Sequence, residues 1–398
     1  GACVAREIKG LPDSFGLIKV ADPLKAMQRL AWHIIEKHKL KVIGITGSTG
    51  KTTTKEFTAA LLSTRYQVLK TVGNFNNQIG LPYSILAAED FHQVAVLEMG
   101  MSRPGEIREL TQIAPPDLAI ITGIAPVHLE FFKNLEEIAL AKKEILDGAR
   151  EGATAVLNGD DPLLKKIAAE YTKGEIIFFG LNPSCQVRAE NINHLGLEGM
   201  AFNLIYGLER AEIKVSFLHE GFVYNLLAAC AACLARQLKL EDILPVIPQL
   251  TPAEHRGQVI RFKNEITLFD DSYNSNPTAL KKTLESLSSL KARRKIAVLG
   301  DMLELGPAEI DFHYEAGKQV ALTGWNYLVT VGERAKHLAS GAVANGFNRA
   351  NISSFLTAEE TAQWLKDFIL PGDFILIKAS HGLALDKIVR LLRQELEE

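Results

Sequence analysis

From residue 41 onward, short β-branched and apolar runs alternate with longer amphipathic segments, the pattern of βαβ units on a mainly parallel sheet. Two such series can be separated. In the first, strands are predicted at 42–46, 67–71, 94–99, 118–123, 154–158 and 175–179, with helices between them that include 51–63 and 135–148. The stretch 182–217 is polar and less regular and is expected to pair as antiparallel strands, after which two helices lead to Pro252. The second series has strands at 266–270, 296–300, 327–331 and 374–378, separated by helices at 279–290, 312–322, 358–368 and 385–396. A domain boundary therefore falls near residues 250–252. Residues 1–40 hold a strand-like start and one helix at 23–37, too little for a domain of their own. The expected fold class is α/β: a mainly parallel sheet domain over 41–251 and a second, Rossmann-like α/β domain over 252–398.

Composition narrows the function more than the fold. With 47% hydrophobic and 23% charged residues, the chain of 398 residues is an ordinary folded protein, neither disordered nor of low complexity. The 44 Lys and Arg against 47 Asp and Glu leave a net charge of −3, without the basic field that sequence-independent nucleic-acid binding needs. No apolar run reaches the length of a membrane span, and the expected location is the cytoplasm. Cys230 and Cys233 have CxxC spacing, but no second pair of ligands lies nearby, so they read as small apolar residues on one helical face. Small-molecule partners, no nucleic acid or membrane, and a monomer are expected.

The strongest chemical signal is Gly47-Ser48-Thr49-Gly50-Lys51-Thr52-Thr53-Thr54, between the first predicted strand and a helix. A strand–loop–helix of this kind points backbone N–H groups and the positive end of a helix dipole at a polyphosphate. Gly47 and Gly50 allow close approach, Lys51 reaches the β and γ phosphates, and Thr52 can ligate Mg²⁺. The spacing is shorter than the strict phosphate-loop pattern, because Ile45 stands where its first glycine would be. A plain glycine-rich turn with an incidental lysine is the alternative, and the strand-then-helix context argues against it.

Further along come Gly73-Asn74-Phe75-Asn76-Asn77-Gln78-Ile79-Gly80, Leu97-Glu98-Met99-Gly100, His128-Leu129-Glu130 and Ala141-Lys142-Lys143-Glu144-Ile145. They are followed by Asn158-Gly159-Asp160-Asp161, Tyr224-Asn225, Arg256-Gly257, the run from Asp270 to Thr278, Leu299-Gly300-Asp301-Met302-Leu303-Glu304-Leu305-Gly306 and Lys378-Ala379-Ser380. In this order they resemble the Mur ligases over nearly the whole chain, and the segments around Asn74, Tyr273 and Met302 resemble the branch that adds D-alanyl-D-alanine. The resemblance makes residues 1–40 the end of the family's N-terminal UDP-binding domain with its exit helix.

The resemblance implies an ATP-dependent amide ligase of peptidoglycan precursor synthesis, in cell-wall biogenesis. ATP would phosphorylate the terminal carboxylate of UDP-N-acetylmuramoyl-tripeptide, and the amine of D-alanyl-D-alanine would attack the acyl phosphate. Such chemistry needs positioning and charge neutralisation more than a covalent nucleophile. By resemblance, Lys51, Glu98, His128 and Lys142 would be catalytic, and Thr52, Glu98, His128 and Lys142 would hold two Mg²⁺ ions, Lys142 as a CO₂-derived carbamate. Gly47, Ser48, Thr49, Gly50, Lys51, Thr52, Thr53, Asn225, Arg256 and Asp271 would bind ATP. Asn76, Asn77, Asn274, Asn276, Thr278 and Lys378 would bind substrate. Lys143 is adjacent to Lys142, and only the Ala-Lys-x-Glu-Ile register distinguishes the two.

The chain departs from the family at His219-Glu220-Gly221, where relatives have Gly-x-His, and at Ala379 and His381, where relatives favour Gly and Arg. Asp301, Glu304 and His313 have the composition of a metal trio, but strand-end and helix-cap roles are expected for them. Two alternatives remain: a catalytically impaired nucleotide-binding fragment, and a related ligase of the folylpolyglutamate type, against which the Asn74 and Tyr273 segments argue.

Overall fold

The computed structural model describes residues 2–397 apart from Glu7, Leu11 and Asp13. Its larger sheet has nine strands, in the order Glu209–Val215, Met200–Tyr206, Val187–His194, Ile176–Gly180, Thr154–Asn158, Leu118–Ile121, Lys41–Thr46, Val94–Glu98 and Val68–Lys70. All neighbours from Val68–Lys70 to Val187–His194 run parallel, and the last two strands add antiparallel, so the polar stretch forms the antiparallel edge expected of it. The central strands are apolar over 42–45, 94–97 and 118–121 because helices cover both faces, with Lys41, Thr46 and Glu98 only at strand ends. Phe57, Leu61 and Leu62 pack with the buried Gly221–Ala235 helix on one face. On the other lie Ala31 and Ile35, Leu81 and Ile85, Ile107 and Leu110, and Ile138 and Ile145. Cys230 and Cys233 are buried in the first of these layers as small apolar residues.

The second sheet has six strands, ordered Gln258–Arg261, Thr267–Asp271, Asp373–Lys378, Arg294–Gly300, Tyr327–Val331 and Ile352–Phe355. Only the first is antiparallel. Both edge strands escape the sequence pattern, because each is four residues long and only partly buried, so neither shows the apolar run of a central strand. The helix expected at 279–290 is Pro277–Ser286 instead: Asn276 caps it by accepting from the Ala279 N–H, and Pro277 sits in its first turn. In the first forty residues Ala2–Val4 and Leu17–Lys19 pair in parallel, ahead of a helix, Pro23–His38, capped by Asp22. Among the described residues no helix is long and apolar enough to cross a membrane.

One buried charge holds the loop beyond the edge strand Val68–Lys70. Lys55 is 0% exposed, and its ammonium donates to the carbonyls of Thr71 (2.9 Å) and Gly73 (2.6 Å) and pairs with Glu56 (2.9 Å). Its three donors are thus all used. Replacing it with methionine keeps the volume and strands two carbonyls, so Lys55→Met is expected to cost about 2–4 kcal/mol. A urea midpoint equal to that of the parent protein would show that water replaces the ammonium.

Candidate active site

The chain leaves Lys41–Thr46 toward the Val68–Lys70 edge and then crosses back, so Val94–Glu98 and Leu118–Ile121 flank this strand on opposite sides. Such a reversal opens a crevice at the carboxyl ends of the strands, where open α/β sheets bind ligands. The loop from Gly47 to Gly50, Glu98 and the loop carrying His128 all lie there. Gly47 and Gly50 have φ of 149° and 81°, and a Cβ on either would run into Thr122 or the Asn225 carboxamide. The loop is braced from the neighbouring turn: Ser48 exchanges hydrogen bonds with the Ala125 backbone (2.9 and 3.0 Å), and the Thr122 hydroxyl donates to the Thr49 carbonyl at 2.6 Å.

Lys51 opens the helix Lys51–Leu62 and folds its ammonium back onto the Gly47 carbonyl at 2.9 Å. Burial lowers its pKa from the usual lysine value, Glu98 raises it, and Arg256 from the other sheet lowers it again. One turn of backbone thus presents N–H groups and a desolvated cation to the same space. Thr53 and Thr54 are buried behind it, with the Thr54 hydroxyl 3.4 Å from Asn225 Oδ1. Asn225, expected to bind ATP, lies against the loop at Gly50.

Glu98 is 1% exposed. Its Oε2 accepts from the Thr52 hydroxyl at 2.8 Å, its Oε1 from Asn76 Nδ2 at 2.7 Å, and its backbone N–H donates to Thr71 Oγ1 at 2.9 Å. Among the described residues no lysine or arginine forms an ion pair with it, so a buried carboxylate stands beside a hydroxyl with its charge uncompensated at short range. Hard oxygen donors in that arrangement fit a divalent cation such as Mg²⁺. Asn76 orients this carboxylate, while Asn77 accepts from the Ile79 and Gly80 N–H groups and so shapes the start of the next helix.

The adjacent lysines separate cleanly. Lys143 pairs at the surface with Asp147 (3.5 Å) and Glu170 (3.3 Å). Lys142 is 2% exposed and makes no hydrogen bond or ion pair among the described residues. Burial, with the nearby Lys51 charge adding to it, holds its pKa well below the ordinary lysine value. His128 is electrostatically coupled to both Lys51 and Lys142, and its Nδ1 lies 2.8 Å from Glu304 Oε2. Burial lowers the imidazole pKa although Glu304 pulls the other way. As an ammonium, Lys142 would repel a cation here; as a neutral amine it has no charge to pair.

The second sheet closes the crevice. Lys378 Nζ binds Asp271 at 2.5 Å and the Asn274 carbonyl at 2.9 Å, so this lysine braces the Asn-rich loop. Burial raises the Asp271 pKa, and Lys378 opposes it. Asn274 Oδ1 accepts from the Ser275 N–H, Asn276 caps the following helix, and Thr278 lies in its first turn. The Arg256 guanidinium stacks 3.8 Å from the centre of the Tyr273 ring, His381 packs against the same ring at 5.2 Å, and the Tyr273 hydroxyl meets Asn74 of the larger sheet's loop. His381 thus fills aromatic space where relatives favour arginine. At the other departure His219 is half-buried, its pKa pushed down to about 3 by desolvation and by Lys378 and Lys282, and its Nδ1 accepts from the Gly221 N–H at 2.7 Å.

The trio of Asp301, Glu304 and His313 is dispersed. Asp301 accepts from the Ala335 N–H, and His313 donates from Nδ1 to the Glu309 carbonyl while Nε2 accepts from the Met302 N–H. Glu304 caps nothing and reaches His128 instead, which corrects the expectation for it. Sequence reasoning also missed Thr71, Thr122 and Tyr273. Each acts through hydrogen bonds or ring contacts to residues distant in the chain, and no local pattern marks its role.

Residues 45–233 match the Mur ligase middle domain and residues 255–381 the Mur ligase glutamate ligase domain. The chain is 36% identical over 386 residues to the UDP-N-acetylmuramoyl-tripeptide--D-alanyl-D-alanine ligase of Bacillus subtilis, covering 97% of this chain and 83% of the relative. Its fold superposes on MurF from Acinetobacter baumannii with a TM-score of 0.88 at 30% identity, covering 99% of this chain and 84% of that one. The Thermotoga maritima MurF ligase in complex with ADP matches with a TM-score of 0.84 at 29% identity, covering 99% and 88%.

Proposed function

The chain belongs to the Mur ligase family, and from that premise we propose that it is the ATP-dependent ligase joining D-alanyl-D-alanine to UDP-N-acetylmuramoyl-tripeptide, with ADP and phosphate as co-products. The observation that carries this reading is the Thr52–Glu98–Asn76 cluster beside Lys51 at the sheet's reversal point, within electrostatic reach of Arg256 just ahead of the second sheet's first strand. The substrate carboxylate attacks the γ phosphorus as the bond to ADP breaks; the dipeptide amine then attacks the acyl carbon as phosphate leaves. Lys51 and Arg256 supply the positive charge that the transferring phosphate and its leaving group need.

Thr52 and Glu98 would hold one Mg²⁺, which when bound neutralises phosphate charge. His128 and a carbamate on Lys142 would hold a second. Buried without a partner, Lys142 is a better amine than a surface lysine, and adding CO₂ turns an unfavourable cation into a carboxylate-like donor. Asp271, Lys378 and the Asn274 loop would shape the ADP and dipeptide end of the crevice. Residues 41–251 and 252–398 would act as two domains closing on it, both from one chain, so a monomer suffices. With ATP and a UDP-linked substrate, the reaction would run in the cytoplasm.

Phosphate release should require ATP, the tripeptide substrate and D-alanyl-D-alanine together, with the rate falling to background when any one is omitted. ATP binding without release under the complete mixture would favour the nucleotide-binding module instead.

A further inference from the structure

Two residues other than glycine adopt left-handed backbone at one meeting point between the sheets: His128 (φ 56°) and Glu304 (φ 61°). Side chains other than glycine's rarely sit there, and each instance costs about 1 kcal/mol or more. The two touch through Nδ1 and Oε2 at 2.8 Å. Behind Glu304 the loop is pinned: the Met302 N–H donates to His313, the Leu303 N–H donates to Ser380 Oγ at 2.9 Å, and Ser380 in turn reaches the Ser275 carbonyl at 3.4 Å. A Cβ added at Gly306 would lie in ordinary contact with the Leu129 carbonyl, so the two loops run close together. The carboxylate of Glu304 is itself 57% exposed, so its contact with His128 does little for the core. Its geometry bears instead on the imidazole, whose Nδ1 it faces.

We propose that Glu304 is a positioning residue for His128. By accepting from Nδ1–H it holds the neutral ring in the tautomer whose Nε2 lone pair is free, and it fixes the ring plane. A histidine that binds a cation through one nitrogen is oriented in this way through the other, and loss of the partner weakens binding about 10–100-fold. Because Glu304 comes from the second sheet and His128 from the first, the cation-binding half of the crevice is completed only when the two sheets close. The same anchors tie Glu304 to Ser380 and Ser275, at the end of the crevice proposed for the dipeptide, so occupancy there and order at His128 are linked. This inference rests on the reading of His128 as a metal-facing residue.

The test uses the full chain with Glu304→Gly, which suits the left-handed backbone, and Glu304→Gln, which keeps the size without the charge. Nitrogen-15 NMR of the metal-free protein, with the His128 signals assigned from a His128→Gln variant, reads the tautomer. Electron paramagnetic resonance with Mn²⁺ and ADP reads cation affinity. In the parent protein His128 should carry its proton on Nδ1; in Glu304→Gly the Nε2–H form should appear and Mn²⁺ affinity should fall about tenfold, with Glu304→Gln between the two. An unchanged tautomer in Glu304→Gly overturns the proposal, and so does a changed tautomer with unchanged Mn²⁺ affinity when His128→Gln itself weakens binding. If His128→Gln leaves Mn²⁺ affinity intact, the metal-facing reading fails, and the cation-site proposal falls with it.

Discussion

Lys51→Ala is expected to lower the rate of ATP-dependent phosphate release at least 10²–10³-fold, the scale seen when one preorganised charge stabiliser is removed. The loss should fall mainly on kcat, because the ammonium meets charge that moves during transfer, while the loop N–H groups still hold the remaining phosphates. No neighbouring lysine can take over. Lys55 is one turn along the same helix, but its ammonium is committed to Thr71, Gly73 and Glu56. Lys142 lies on another helix and its burial disfavours the charged form. Steady-state kinetics with varied ATP decide the matter, and a kcat within a few-fold of the parent would remove the phosphate-loop assignment.

For Lys142→Ala the expected loss is of similar size, about 10²-fold or more, if a carbamate there supplies an anionic donor for the cation. An unmodified ammonium beside bound cations predicts the reverse, since deleting it relieves repulsion. Small carboxylates such as formate or acetate should restore part of the activity of the alanine variant by entering the vacated space. The pH dependence has a definite sign. Burial lowers the Lys142 pKa, so neutral amine is present at lower pH than for a surface lysine, and carbamate formation consumes that amine and releases a proton. At limiting CO₂, activity of the parent protein should therefore rise with pH and with added bicarbonate. Carbon-13 NMR under labelled bicarbonate detects the adduct directly. Full activity of Lys142→Ala, without a carbamate signal in the parent, would leave this lysine as a buried neutral amine.

The phosphate loop, Glu98 and most parallel strands are legible without coordinates because each is a local statement. A buried parallel strand must be apolar throughout, a phosphate-binding turn must carry glycines where φ is positive, and a helix must follow at once. Chain order alone therefore placed Lys51 and Thr52 at the mouth of the crevice. The same locality explains what was misread. Gln258–Arg261 and Ile352–Phe355 are short edge strands whose pairing is decided by the neighbour, not by their own residues.

Tertiary structure decided the rest. Lys142 and Lys143 are adjacent in sequence, and only packing turns one into the buried space near Lys51 and sends the other to Asp147 and Glu170, because successive helix positions point about 100° apart. Asn76 and Asn77 are likewise neighbours with different partners, the Glu98 carboxylate and the Gly80 backbone. Glu304 reads in sequence as an acid in a loop, and its meeting with His128 across 176 positions depends on how two sheets face each other. Chain pattern determined which elements form and where the glycine loop and Lys51 stand; long-range packing determined which side chains within those elements share one charged, desolvated space, because burial and partnership belong to the assembled fold.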